Sequence, residues 1–424
     1  MRFTNLRSAL LGVSVLAVPI AGRAIKWQKE HWVATWTSMP QEVEPYNLPP
    51  TSFGGENADV QFDDATLRQT VRTSIPAQSI RVQFSNVFGL TELPITAASV
   101  AFPLLENGTA AGVGEIDTST IKRLAFNRSP SVTIPPGKSV YSDPIDFEIP
   151  PLSDIALSIY TKEGQVGANI TGHPGSRTTS WFEHGNKVNS FSVSESSVEH
   201  WYFISAIEAW ASKSSLGLVI LGDSITDGRG SDDNRNNRWP DALAERLRRN
   251  KLSNIAINNQ AAGGNAILSE SNGLGPSLIT RYHRDAIETS GVKYVMIFEG
   301  VNDIGVSSPD EATQNELFDK LVAAYCQILF DSKNAGLVTI GATITPFGGN
   351  EYDDPAGMRE KTRLKVNEWI LRESPFDYVL DFAEFIGNGS VLKAEFDSGD
   401  HLHPNVAGYK ELARRFDLGV FVPR

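Results

Sequence analysis

The spacing of apolar residues changes abruptly near Ser212, and one packing scheme does not serve both patterns. From about Trp32 to about Tyr160, apolar and polar residues alternate, as in Ile80, Val82 and Phe84 and again in Ile155, Leu157 and Ile159. A period of two sends successive side chains to opposite faces of a strand, so this region predicts antiparallel strands with one wet face. Turn formers such as Pro135-Pro136-Gly137 and Asn107-Gly108 separate the strands, and no helical pattern of useful length intervenes. After about Ser212 the apolar residues come in short continuous runs: Leu218-Val219-Ile220-Leu221, Tyr294-Val295-Met296-Ile297-Phe298, Val338-Thr339-Ile340 and Tyr378-Val379-Leu380. Runs of this kind suit strands buried on both faces. Between them, residues 240–250 align Leu243 with Leu247, and residues 315–332 place Leu317, Leu321, Ala324 and Ile328 on one helical stripe. Strand alternating with helix predicts a parallel sheet flanked by helices.

A chain of 424 residues exceeds the ~250–300 that one hydrophobic core serves, which agrees with two units. The expected division is an antiparallel β-sandwich over 25–211 and an α/β unit over 212–424. Residues 1–24 read as an export signal: Arg2 and Arg7 precede an uncharged apolar run over 9–20, and Ala21-Gly22-Arg23-Ala24 supplies small residues for cleavage after Ala24. That run falls short of the ~20 residues a spanning helix needs, so the mature chain is expected to be secreted without an integral membrane segment. Sequons at Asn107, Asn127, Asn169 and Asn388 fit surface glycosylation in such a compartment. Sequence position places Cys326 on the side of the second helix shared with Phe318 and Val322, and it is expected to be buried there.

Composition narrows the chemistry. Lys and Arg number 38 against 50 Asp and Glu, a net charge of −12, which opposes a nucleic-acid partner. With one cysteine in the chain, an intrachain disulfide and a cysteine-based zinc site are both excluded.

Ligands of open parallel sheets bind beyond the carboxyl ends of the strands, so the residues just after each run carry the most weight. The first run leads into Gly222-Asp223-Ser224-Ile225-Thr226-Asp227-Gly228. Glycine permits a sharp turn, and Ser224 then stands at the start of a helix, either as a nucleophile or simply as the helix cap. Thr226 breaks the Gly-x-Ser-x-Gly elbow. After Ile255-Ala256-Ile257 comes Asn259-Gln260-Ala261-Ala262-Gly263-Gly264-Asn265, where paired glycines either form a plain turn or bring bare backbone N–H groups to a ligand. Gly300-Val301-Asn302-Asp303 sets an uncharged amide after the third strand. Near the end, Asp400 and His403 are three residues apart, so the carboxylate can accept from Nδ1–H and leave Nε2 free to take a proton from Ser224. A cation held by His401, His403 and Asp397 is the competing reading of that segment. His31, His173, His184, His200 and His283 read as surface or structural.

Gly222-Asp223-Ser224, Gly264, Asn302 and Asp400 with His403 resemble the four ordered blocks of the SGNH hydrolases, also called GDSL esterases and lipases. The first block reads GDSI here. The phrases Asn237-Arg238-Trp239-Pro240 and Glu299-Gly300-Val301-Asn302-Asp303 further resemble a secreted branch in which a β-rich domain precedes the hydrolase. The resemblance implies a flavodoxin-like three-layer α/β/α fold over the second half and ester hydrolysis without a cofactor. It implies Ser224 as nucleophile, His403 as base and Asp400 as its orienting carboxylate. The backbone N–H groups of Ser224 and Gly264 and the Asn302 amide would form the oxyanion hole. Expected partners are small-molecule or polysaccharide esters. The alternatives are a polysaccharide O-deacetylase whose sandwich grips the glycan through residues such as Trp27, Trp32, Trp36, Trp181, Trp201 and Trp210, and a glycan-binding protein without catalysis.

Overall fold

The computed structural model describes residues 30–106, 108–269 and 274–422. The expected signal segment, Trp27 and the sequon asparagine Asn107 lie outside the described residues.

In the first half, one antiparallel sheet runs in the order Glu30–Thr37, Ile204–Ser212, Ala77–Asn86, Ile145–Ile149, with Lys138–Tyr141 also paired to Ala77–Asn86. A second runs Ser196–Val198, Ser180–His184, Val60–Arg72, Asp154–Val166, Ala97–Ala101, Lys122–Arg123. Ile80, Val82 and Phe84 from the first sheet and Leu67, Leu157 and Phe182 from the second share one apolar cluster. Arg81 and Gln83, between the buried positions, are only half-buried, as the alternation predicts.

The strand Asp154–Val166 departs from that expectation, because its polar-phase residues Ala156, Ser158 and Tyr160 are buried as well. Arg68, on the neighbouring strand and fully buried, explains the covered face. Its Nε donates to Ser158 Oγ, and its terminal nitrogens donate to the carbonyls of Gly114, Phe191, Lys187 and Ser190. All five guanidinium donors are thereby used, and the loops around residues 114 and 187–191 are drawn down over the sheet. The two-residue alternation could not report this, since the cover is supplied by loops distant in sequence.

The change of sheet falls between Ile204–Ser212, in the antiparallel half, and Leu216–Gly222, the first parallel strand. The parallel order is Ile255–Ala261, Leu216–Gly222, Val292–Phe298, Val338–Ala342, Tyr378–Leu380. The first strand in sequence therefore lies inside the sheet, with the second on one side and the third on the other. Gly222 is level with Ala261 and Phe298, so the loops leaving these three strands emerge side by side. Such a reversal of strand order opens a crevice at the carboxyl edge. Helix Trp239–Arg249 packs on Val406–Arg415, and the long helix Glu311–Asn334 packs on Met358–Arg372. Leu243, Leu247, Leu317, Leu321 and Ile328 all join the core of this half. Cys326 is exposed, contrary to expectation. Its neighbours Phe318 and Val322 are only half-buried, so this flank of the helix is the margin of the buried stripe set by Leu317, Leu321, Ala324 and Ile328.

The halves meet along the edge strand Ile255–Ala261. Asn258 Nδ2 donates to the Ala34 carbonyl at 3.0 Å, and the Ala34 N–H donates to Ser290 O at 2.9 Å. Buried His173 reaches across to Asp227 at 2.9 Å, and Arg238 donates to the Ser176 carbonyl.

Candidate active site

The first strand ends at Gly222, where any Cβ would lie 2.7 Å from Thr226 Oγ1 and 3.0 Å from the Phe298 carbonyl. Asp223 then caps the short helix Ser224–Asp227, its Oδ1 accepting the Ile225 N–H at 2.9 Å. Capping thus falls to Asp223 rather than Ser224, and the serine hydroxyl is left for another partner. That partner is His403, whose Nε2 lies 2.7 Å from Ser224 Oγ. Its Nδ1 lies 2.6 Å from Asp400 Oδ2.

The segment carrying these two residues is held by its own side chains. Asp397 Oδ1 accepts the backbone N–H groups of Gly399 and His401, and Asp400 Oδ1 accepts those of Leu402 and His403. His401 turns its Nδ1 to Asp397 Oδ2 at 2.7 Å and stays exposed, which takes it out of the cation site weighed from the sequence. Among the described residues no group of three or more His, Cys, Asp or Glu side chains is arranged to hold a metal ion. Partial burial works against the Asp400 charge, but the hydrogen bonds from His403 and Leu402 outweigh it and hold the carboxyl well below the usual carboxylate range. An ionised carboxylate only accepts, so His403 Nδ1 must donate to it. In the neutral ring Nε2 is then bare, and Ser224 O–H donates to it.

Opposite Ser224, Gly264 adopts φ +69, a left-handed conformation that favours glycine. Among the described residues no acceptor takes the backbone N–H of Ser224 or of Gly264. Asn302, nearly fully buried, donates through Nδ2 to the Asn265 carbonyl at 2.7 Å, which leaves one Nδ2 hydrogen free. Ser224, Gly264, Asn302, Asp400 and His403 all border one cleft of about 720 Å³.

Several supporting residues escaped the sequence. Fully buried Arg281 donates to the carbonyls of Gly222 and Gln260 and twice to Asn265 Oδ1, tying the first two loops together. Asp303 accepts the N–H groups of Ile267 and Leu268, fixing the second loop from the third. Burial pushes the carboxyls beneath the site upward, Asp223 to about 7, Asp303 to about 6 and Glu299 to about 8. Asp303 adjoins Asn302 in sequence, but Arg281 lies in a stretch with no motif. The antiparallel half also walls the cleft, through Glu44, Tyr46, Asn47, Arg177, Glu199 and His200. His200 is thus part of the site's border. Trp36 and Trp201 are buried, while Trp210 is exposed on a different surface.

Residues 220–411 match the family described as GDSL-like Lipase/Acylhydrolase. The chain carries a GDSL hydrolase domain. This GDSL domain resembles several solved structures. A lipase/acylhydrolase from Enterococcus faecalis is 22% identical, covering 47% of this chain and 92% of its own, with a TM-score of 0.35. A mutant of an acetyl-xylooligosaccharide esterase from Geobacillus is 24% identical, covering 49% of this chain and 95% of its own, with a TM-score of 0.35. A G-D-S-L lipolytic protein from Desulfitobacterium hafniense is 20% identical over 47% of this chain and 95% of its own, with a TM-score of 0.34. No curated protein matches the chain.

Proposed function

We propose that the protein is a secreted serine carboxylester hydrolase acting through Ser224, His403 and Asp400, with no cofactor. The reading is carried by the unbroken relay from Ser224 Oγ to His403 Nε2 at 2.7 Å and from His403 Nδ1 to Asp400 Oδ2 at 2.6 Å. Neutral His403 takes the Ser224 proton as Oγ bonds to the ester carbonyl carbon. The carbonyl oxygen becomes an oxyanion facing the backbone N–H groups of Ser224 and Gly264 and the second Nδ2 hydrogen of Asn302. As the oxyanion collapses, the carbon–oxygen bond to the alcohol breaks, and His403 gives its proton to the leaving oxygen. Water then attacks the acyl-enzyme by the same route, returning the acid and free Ser224. In this reading the parallel half is the flavodoxin-like three-layer domain over 212–424, the antiparallel half is a β-sandwich over 25–211, and residues 1–24 are removed on export.

The second reading, hydrolysis of short acyl groups from carbohydrates, is favoured by the composition of the cleft wall. Among the described residues its aliphatic side chains are Pro174, Leu274 and Leu402, whereas Glu44, Asn47, Arg177, Glu199 and Asn350 present hydrogen-bonding groups. A fatty chain gains ~0.8 kcal/mol for each CH₂ it buries, and three aliphatic side chains limit that gain beside the charged and amide groups of the wall. Ser224→Ala should abolish hydrolysis of p-nitrophenyl acetate while preserving thermal unfolding. A fully active variant would exclude the mechanism, and faster turnover of long-chain than of acetyl esters would exclude the second reading.

A further inference from the structure

The loop between Phe347 and Asp354 joins the two ends of the site. Asn350 Nδ2 donates to the main-chain carbonyl of Asp400 at 2.8 Å, and Asn350 Oδ1 accepts the Tyr352 N–H at 3.0 Å. Two residues further on, the Tyr352 hydroxyl donates to Asn302 Oδ1 at 2.8 Å. The ring lies over Gly305, where a Cβ would sit only 2.2 Å from Tyr352 Cδ2. Arg359 donates to the carbonyls of both Tyr352 and Ser307, clamping the loop to the end of the helix Val301–Val306 that carries Asn302.

Two independent contacts therefore fix which way the Asn302 amide faces. The Asn265 carbonyl only accepts, so Nδ2 must face it, and Oδ1 must face Tyr352, whose hydroxyl can donate. With both in place, the remaining Nδ2 hydrogen has one direction. The geometry points to Tyr352 as a positioning residue that holds the Asn302 amide ready for the oxyanion, an inference that rests on the oxyanion role proposed above for Asn302. Burial raises the Tyr352 phenol above its ordinary value of 10.0, with the Asp223 and Glu351 charges adding to it, so the hydroxyl remains a donor at neutral pH. The Asp400 carbonyl contact adds a second consequence, since the same loop steadies the base and the oxyanion donor together.

A double-mutant cycle on the full chain tests this, with p-nitrophenyl acetate as substrate. Losing a whole oxyanion donor costs ~100- to 1000-fold in kcat. Tyr352→Phe, which only frees the amide to tilt, should cost about tenfold in kcat with KM changed less than about twofold. In the Asn302→Ala background the same change should cost less than about twofold, because the tyrosine acts through the amide that is gone. Equal losses in both backgrounds would overturn the inference, as would an unaltered kcat for Tyr352→Phe. An unaltered rate for Asn302→Ala would instead overturn the oxyanion reading itself. A fluorinated tyrosine at position 352 keeps the shape but ionises at lower pH. Its phenolate cannot donate, so kcat should fall above the new phenol pKa, and a profile like that of the unmodified protein would refute the inference without relying on how Tyr352→Phe folds.

Discussion

Asp223 gives the sharpest quantitative test of the buried acid layer under Ser224. It is 2% exposed, and burial, reinforced by the Asp303 and Asp227 charges and opposed by the Ile225 N–H, raises its carboxyl from 3.8 to about 7. The folded state therefore holds the proton more tightly than the unfolded chain does. Stability from this group is present at low pH, falls as pH climbs from the unfolded value through the folded one, and then levels off. A displacement from 3.8 to about 7 corresponds to at most about 4 kcal/mol lost across that interval. Glu299 and Asp303 stand close and remain partly protonated over the same range, which shares the penalty and sets the expectation for one group at about 2–4 kcal/mol. Asp223→Asn keeps an oxygen to cap Ile225 but removes the ionisation, and any cost of the new amide is the same at every pH. Urea unfolding followed by tryptophan fluorescence, at about pH 4.5 and about pH 8, should show the variant gaining about 2–4 kcal/mol on the parent between the two conditions. Parallel pH profiles for the two proteins would refute the reasoning.

Asp400→Asn should lower kcat by up to ~10⁴, because the amide offers Nδ1 no charged acceptor and the ring loses its enforced tautomer; a loss under about tenfold would remove Asp400 from the relay. Gly264→Ala places a Cβ 2.4 Å from Leu274 Cδ1 at φ +69, so steady-state assays should show a loss of at least about tenfold in kcat, whereas Gly263→Ala, with no atom of the described residues within 4 Å of its Cβ, should cost far less. Gly175→Ala places a Cβ 1.7 Å from Asp227 Oδ2 and must disturb the His173 contact between the halves, lowering stability in thermal unfolding by about 1–3 kcal/mol.

Much of the parallel half was legible because its strands and helices announce themselves locally. The runs at Leu218 and Tyr294 lie within Leu216–Gly222 and Val292–Phe298, and the stripe of Leu317, Leu321 and Ile328 lies within Glu311–Asn334. Ser224, Gly264, Asn302 and His403 were readable for a related reason, since each follows a strand or precedes the last helix, where chemistry in such sheets collects. Tyr352 and Arg281 were not, because their significance lies in which carbonyl or amide they meet across the fold. Nor could the sequence say that His200 and Arg177 would border the cleft, since docking of the antiparallel half brings them there. Asp154–Val166 shows the limit of periodicity: alternation reports one dry face, and only Arg68 and the loops it gathers make the other face dry as well.

The central claim is that His403 activates the Ser224 hydroxyl as a nucleophile. A fluorophosphonate probe reads this directly without knowledge of the substrate, because phosphorus takes the place of the carbonyl carbon and the adduct persists for mass spectrometry. The account predicts a single modification at Ser224 that is abolished in Ser224→Ala and slowed by orders of magnitude in His403→Ala. Labelling at another residue, or labelling of Ser224 at the same rate without His403, would contradict it.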